Sequence, residues 1–299
     1  MLRSYDGPTR VLAGYDDSPD AQRALAYAVA VAKARDAELV LLNAVDDTVL
    51  NSAWGVVFDA ETIKTAATEL LLTGVDEAVA RGLPRDRIRT AVELGNPAAA
   101  LARHSEEASL IVVGRRSESE GERAYVGSTA VGVVGTSACP VVVVSATERL
   151  HTRPTGLMGV GVNTAARGRV ALEWTLRQGE RLGGEVAVIS VAKAAVSRLF
   201  RGSADSPQTR AEIVEVTRER ITDMIQPIAA EHPDVPVELE VHYGVPLDIL
   251  VARSAQLDLL VLEVQAAFPT YAVGGLTRGL LTHAHCPVVT LRGRDSHDS

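Results

Sequence analysis

A chain of 299 residues with 46% hydrophobic and 23% charged positions is composed like one or two globular domains, not like a disordered segment or a coiled coil. Its formal net charge of −8 opposes a phosphate backbone, and 4% aromatics leave few platforms for stacked bases, so nucleic acid is not an expected partner. No apolar run approaches the roughly 18 residues that span a bilayer, and residues 1–8 hold no apolar signal core. No membrane is expected, and the expected compartment is the cytoplasm.

Residues 10–15 read as a short apolar strand. Ser18 suits an N-cap and Pro19 the first helical position, so a helix is predicted from there through Ala-rich sequence to residue 35. A second strand follows at Glu38–Val45, then a helix at 62–81 that Gly82 closes. Residues 89–94 form a third strand and 97–107 a helix. Residues 110–113 and Val141–Val144 are continuous apolar strands with a helix at 127–138 between them, the pattern of a parallel sheet covered on both faces. This βαβαβαβαβ order calls for right-handed crossovers and a doubly wound sheet. Further strands are predicted at 158–163, 185–191, 237–243, 258–263 and 287–291. A long helix near 208–231 carries Pro227, which is expected to kink it or end it early.

The second half repeats the first. Thr136-Ser137-Ala138-Cys139-Pro140-Val141 returns as Thr282-His283-Ala284-His285-Cys286-Pro287-Val288, with the cysteines 147 residues apart. Gly95-Asn96-Pro97 returns as Gly244-Val245-Pro246 at an offset of 149, and residues 11–16 return as 158–163 at 147. Three landmarks in one order, at nearly one offset and with a period too long for a solenoid, mean a duplicated domain. The expected domains are 1–147 and 155–293, with the break among the charges, Pro154 and Gly156. The fold class is α/β, two tandem doubly wound parallel-sheet domains of Rossmann-like type. Cys139 and Cys286 form no CxxC pair and cannot complete a four-ligand zinc site by themselves. They read as small buried residues at strand entrances.

In such a sheet a ligand sits beyond the carboxyl ends of the strands, where the winding reverses. Past the fourth strand come Gly114, Arg115, Arg116 and Ser117, and then Gly127-Ser128-Thr129 open a helix. Gly114 admits close backbone approach, and the helix start offers free N–H groups and a dipole that favour an anion. Ser128 and Thr129 add hydroxyls, while Arg115 and Arg116 can neutralise phosphate. After the first strand, Asp16 can accept hydrogen bonds from a ribose or a base.

These residues resemble those of the universal stress protein family, with two copies of its domain covering nearly all of the chain. The family's nucleotide motif, G-x2-G-x9-G-(S/T), is matched in spacing by Gly114, Ser117, Gly127 and Ser128, with Ser117 where the motif has its second glycine. Gly14-Tyr15-Asp16 resemble the end of the family's first strand with its adenine- and ribose-contacting aspartate. Residues 41–45 resemble the second strand, whose backbone meets adenine at the position of Ala44. The resemblance implies an adenine nucleotide, ATP foremost, in the first domain, with Asp46 and Asp47 either near its magnesium or simply loop carboxylates. It also implies a stress-response regulator that dimerises through last strands, either as a homodimer or as a pseudo-dimer within one chain.

The second domain reads as degenerate. Glu263 stands where Gly114 does, the stretch from there to Gly274 is two residues shorter, Gly275 replaces Ser128, and Asn163 replaces Asp16. A carboxylate at the start of that loop repels phosphate, unless it points into solvent. His283, His285 and Cys286 fit a helix end better than a metal site. The arginines at 85, 87 and 89 fit a solvated edge better than an anion patch. No Ser–His–Asp or Cys–His constellation is readable, and no general base besides Asp16 is evident, so no dedicated enzyme is expected. A slow ATPase and an interaction protein with a vestigial loop are the alternatives.

Overall fold

The computed structural model describes residues 10–45, 60–116, 126–145, 155–163, 168–192, 206–264 and 273–293. The chain divides into two compact units, with the division between its fifth and sixth strands. The first unit holds β1 (Arg10–Gly14), α1 (Pro19–Ala34), β2 (Glu38–Val45), α2 (Ala60–Ala80), β3 (Ile88–Leu94), α3 (Pro97–His104), β4 (Leu110–Gly114), α4 (Ser128–Thr136) and β5 (Val141–Val144). Its strands lie in the order β3-β2-β1-β4-β5, and every neighbouring pair is parallel. The chain steps outward from β1 to β3 and then returns across the sheet to β4. Right-handed crossovers therefore place α1 and α2 on one face and α3 and α4 on the other; α1 packs against α2, and α3 against α4. With both faces covered, Val11, Leu12, Ala13, Ile111, Val112 and Val142 are all buried, which explains their unbroken apolar runs.

The helix starts follow local chemistry. Ser18 caps α1, its Oγ accepting the Ala21 N–H at 3.2 Å, with Pro19 at the first position. The helix expected to run through residue 107 is α-helical only to His104 and then tightens into a 3-10 turn at Ser105–Glu107. Ser105 is also the reason α4 stops at Thr136, short of the expected 138. The Ala138 N–H bonds Ser105 Oγ at 2.8 Å instead of a helix carbonyl, and Pro140 confines the preceding residue to extended backbone.

The second unit repeats the winding with β6 (Leu157–Val162), α5 (Arg169–Leu182), β7 (Glu185–Ala192), α6 (Pro207–Ala229), β8 (Val237–Tyr243), α7 (Pro246–Ser254), β9 (Leu259–Val264), α8 (Gly275–His283) and β10 (Val288–Arg292). Its order is β8-β7-β6-β9-β10, all parallel. Pro227 does not end α6, which continues to Ala229. So close to the end of the helix, the missing proline N–H removes only one hydrogen bond. Cys139 and Cys286 are buried, and burial pushes the Cys139 thiol up to about 11.

The edge strand of each sheet carries a clamped carboxylate. On β3, Glu93 accepts from His104 Nε2 and Arg103 Nη2, both at 2.9 Å. On β8, Glu240 accepts from Arg253 Nε at 2.9 and 3.0 Å and from Nη2 at 2.7 Å. The Arg253 hydrogen bonds hold the Glu240 carboxyl below the usual glutamate range, against the opposing effect of burial. A depressed carboxylate contributes stability that is present above the ordinary glutamate value, about 4.3, and fades as pH falls through the lower folded value. Glu240→Gln is therefore expected to cost about 1–2 kcal/mol at pH 7. Thermal unfolding should show the difference from the native protein closing as pH drops from 5 toward 3, and a difference independent of pH would contradict this assignment.

Candidate functional site

β1 and β4 are neighbours whose following connections leave in opposite directions, which opens a crevice at their carboxyl ends. A cavity of about 350 Å³ lies there, lined entirely by the first unit. Gly14, Tyr15 and Asp16 reach it from the end of β1 and Ala44 from β2. Gly114, Arg115 and Arg116 reach it from β4, and Gly127, Ser128 and Thr129 from the start of α4. Every predicted site residue that is described thus meets at one cavity. Ser117, Asp46 and Asp47 lie outside the described residues.

The wall formed by α4 suits an anion. Gly127 is the N-cap, with extended backbone and no capping side chain, so the first N–H groups of α4 have no side-chain partner among the described residues. Gly127 itself is clipped to the preceding loop, its N–H donating to the Arg115 carbonyl at 2.8 Å. Arg115 is buried, and Arg116 Nε has no hydrogen-bond acceptor among the described residues. Gly114 proves necessary to the protein itself and not only to a ligand. A Cβ there would sit 2.8 Å from the Asp20 carbonyl carbon and 2.9 Å from the Ala21 nitrogen, both backbone atoms of α1.

The opposite wall is a rigid turn. Past the end of β1, the Tyr15 N–H donates to the Leu42 carbonyl at 2.9 Å, and Asn43 Nδ2 donates to the Tyr15 carbonyl at 2.7 Å. Asp16 Oδ1 accepts from the Ser18 hydroxyl at 2.6 Å and from the Ser18 N–H at 3.2 Å. Its Oδ2 has no partner among the described residues. Asp17 adopts φ +62°, a region most side chains avoid, and is held there by the Tyr15 hydroxyl at 2.7 Å and Gln22 Nε2 at 3.1 Å. Burial, and then the bond to Asp17, push the Tyr15 phenol up; that bond, and then Gln22, draw the Asp17 carboxyl down. Gly74 of α2 leaves room for the Tyr15 ring, since a Cβ there would lie 2.9 Å from Tyr15 Cε1.

Sequence reasoning missed several of the lining residues. Asn43 supports the turn from β2, and Asn96 and Pro97 close the cavity from the start of α3. The signal for the last two was present in the repeated Gly-x-Pro landmark, which marked the duplication without pointing to a site.

At the matching place in the second unit, Glu263 neither faces solvent nor waits for a phosphate. Its Oε2 accepts the Gly168 N–H at 3.0 Å and the Val170 N–H at 3.1 Å. Gly168, at φ +105°, cannot cap α5 with a side chain, so the carboxylate from β9 does so from across the fold. The arginines at 85, 87 and 89 are spent internally. Arg85 donates to the Ile88 carbonyl, Arg87 pairs with Asp36, and Arg89 pairs with Glu38 at 3.0 Å. His283 ends α8, and among the described residues no group of three or more His, Cys, Asp or Glu could hold a metal ion. No helix among the described residues is long and apolar enough to cross a membrane.

A doubly wound parallel sheet, present twice and with an uncapped helix start at the switch point of the first copy, defines a tandem α/β protein of the Rossmann-like class. The model of the universal stress protein family matches residues 8–145 and again 158–292, and the chain belongs to that family. A Staphylococcus aureus protein classed as a universal stress protein is 32% identical over 143 residues, covering 46% of this chain and 84% of its own. The crystal structure of a universal stress protein from Archaeoglobus fulgidus covers 96% of this chain and 97% of its own at 19% identity, with a TM-score of 0.69. A universal stress protein solved in complex with cAMP is 26% identical, covering 47% of this chain and 98% of its own, with a TM-score of 0.36.

Replacing Glu263 with the residue of the first unit tests its role. Glu263→Gly is expected to destabilise the second unit by about 1–2 kcal/mol, the loss of a cap with charge-assisted bonds. Urea unfolding measures this, and a neutral outcome would show that α5 does not depend on the carboxylate.

Proposed function

We propose that the chain binds an adenine nucleotide, ATP foremost, in its first unit and acts in the cytoplasm as a stress-linked regulator and not as a dedicated catalyst. The observation that carries this reading is one cavity with an uncapped helix start and two arginines on one wall and an oriented carboxylate on the other. The phosphates would meet the first N–H groups of α4, the Ser128 and Thr129 hydroxyls, and the arginines, where dipole and charge both favour an anion. The ribose would meet Asp16, whose Oδ1 is already fixed by Ser18 and whose Oδ2 can accept from a hydroxyl. Adenine would lie against the β2 backbone at Ala44. The residues fit the phosphates of ATP: Arg115 and Arg116 line the wall, and Gly127 keeps the helix start free of side chain.

Catalysis asks for more than this. Attack on a phosphate needs an oriented nucleophile and a base within hydrogen-bond reach, and Asp16 is committed to Ser18 on one oxygen. ATP is therefore expected to survive incubation with stoichiometric protein. Turnover near the roughly 10 per second of ordinary enzymes, abolished by Asp16→Asn, would make the chain an enzyme instead.

Calorimetric titration should give one ATP site per chain. Gly127→Glu places a side chain and a like charge at the helix start, and affinity should fall at least about tenfold. Gly274→Glu in the second unit should leave binding unchanged. Two equivalent sites, or the reverse response to the two substitutions, would refute the assignment.

A further inference from the structure

We propose that Asp20 is a specificity-determining residue of this site, a buried carboxylate beneath the phosphate loop that sets how strongly the site prefers three phosphates to one. The inference rests on the nucleotide reading above. Asp20 occupies the second position of α1 and is 7% exposed. Its Oδ2 accepts the Arg116 N–H at 3.1 Å, the first amide after β4 that no strand neighbour takes. The same oxygen lies 3.9 Å from Arg116 Nε, and Arg116 lines the cavity. One carboxylate thus holds the Arg116 amide in place and offsets part of the positive charge that Arg116 brings to the cavity.

The second unit separates these two jobs. The second unit has Val170 at the second position of α5 and Glu263 where the first has Gly114, so there the carboxylate sits on the strand and not on the helix. From the strand, Glu263 binds helix amides, and the residues that follow it are Val264 and Gln265, not arginines. A carboxylate that only ties strand to helix can therefore sit on the strand. The first unit keeps its carboxylate on the helix, against the loop amide and beside a guanidinium.

Charge and geometry make different demands on the ligand. Without magnesium, ATP carries about two more negative charges than AMP near neutral pH, so a fixed carboxylate near the phosphates disfavours it more, and the comparison is made in magnesium-free buffer. A purely structural tie would affect both nucleotides alike.

The test titrates the full chain and its Asp20→Asn and Asp20→Ser variants with ATP and AMP by calorimetry, at low salt and at 0.5 M salt, with circular dichroism as the check on folding. Both variants remove the charge; Asp20→Asn keeps an oxygen able to accept the Arg116 N–H, whereas the shorter Asp20→Ser gives up that tie. The ratio of ATP to AMP affinity should rise about threefold or more in each folded variant, and the rise should shrink only in part at high salt, because Asp20 is buried. Adding Arg116→Gln to either variant should remove the rise. An unchanged ratio, or an equal loss for both nucleotides, overturns the proposal and leaves Asp20 as a tie alone. If the unaltered chain binds neither nucleotide, the nucleotide reading fails and this inference falls with it.

Discussion

The first turn of α1 lies directly on the backbone of Gly114, with less space than any side chain requires. That close pass brings the end of β4 and the start of α1 together, and the walls of the cavity are built outward from it. On one side Asp20 reaches down to the Arg116 amide; on the other Ser18 caps the helix and turns Asp16 toward the opening. A larger residue at position 114 would separate the strand from the helix, and the loop and the turn would lose their common reference. The glycine looks like a concession to a ligand, but the fold needs it first.

The two units show how such a junction diverges. Both need a partner for the backbone amides where strand and helix meet, because buried N–H groups without acceptors are costly. The first unit meets the need with a carboxylate on the helix and leaves the strand end bare. The second places the carboxylate on the strand, where Glu263 accepts the Gly168 and Val170 N–H groups. Loss of the glycine and gain of a cap are one event viewed from two sides. The second sheet stays intact because its winding depends on the buried strands, not on the cavity.

Much of this was legible in the sequence. Unbroken apolar runs at Leu110–Gly114 and Val141–Val144 require a sheet covered on both faces, and Ser18-Pro19 announces a helix start by local chemistry alone. The cavity residues on β1, β4 and α4 were legible because glycines, a helix start and an aspartate fall at strand ends, where the topology places ligands. What stayed hidden depends on contacts distant in sequence. Ser105 ends α4 by taking the Ala138 N–H, and Glu263 caps a helix nearly a hundred residues away. Asn43 has no special pattern, Asn96 and Pro97 read only as a repeated helix start, and it is the folded sheet that brings them to the opening. Pro227 misled in the other direction, because a helix breaker costs little where the helix is already finishing.

The buried cysteines give the protein a further character. Each lies at the entrance to a final strand, and Cys139, held as the neutral thiol by its surroundings, exposes no sulfur anion to attack. Peroxides and disulfide reagents react with thiolates at the surface, so an oxidative burst finds no handle on this residue. Both final strands thus begin at a sulfur packed away from solvent.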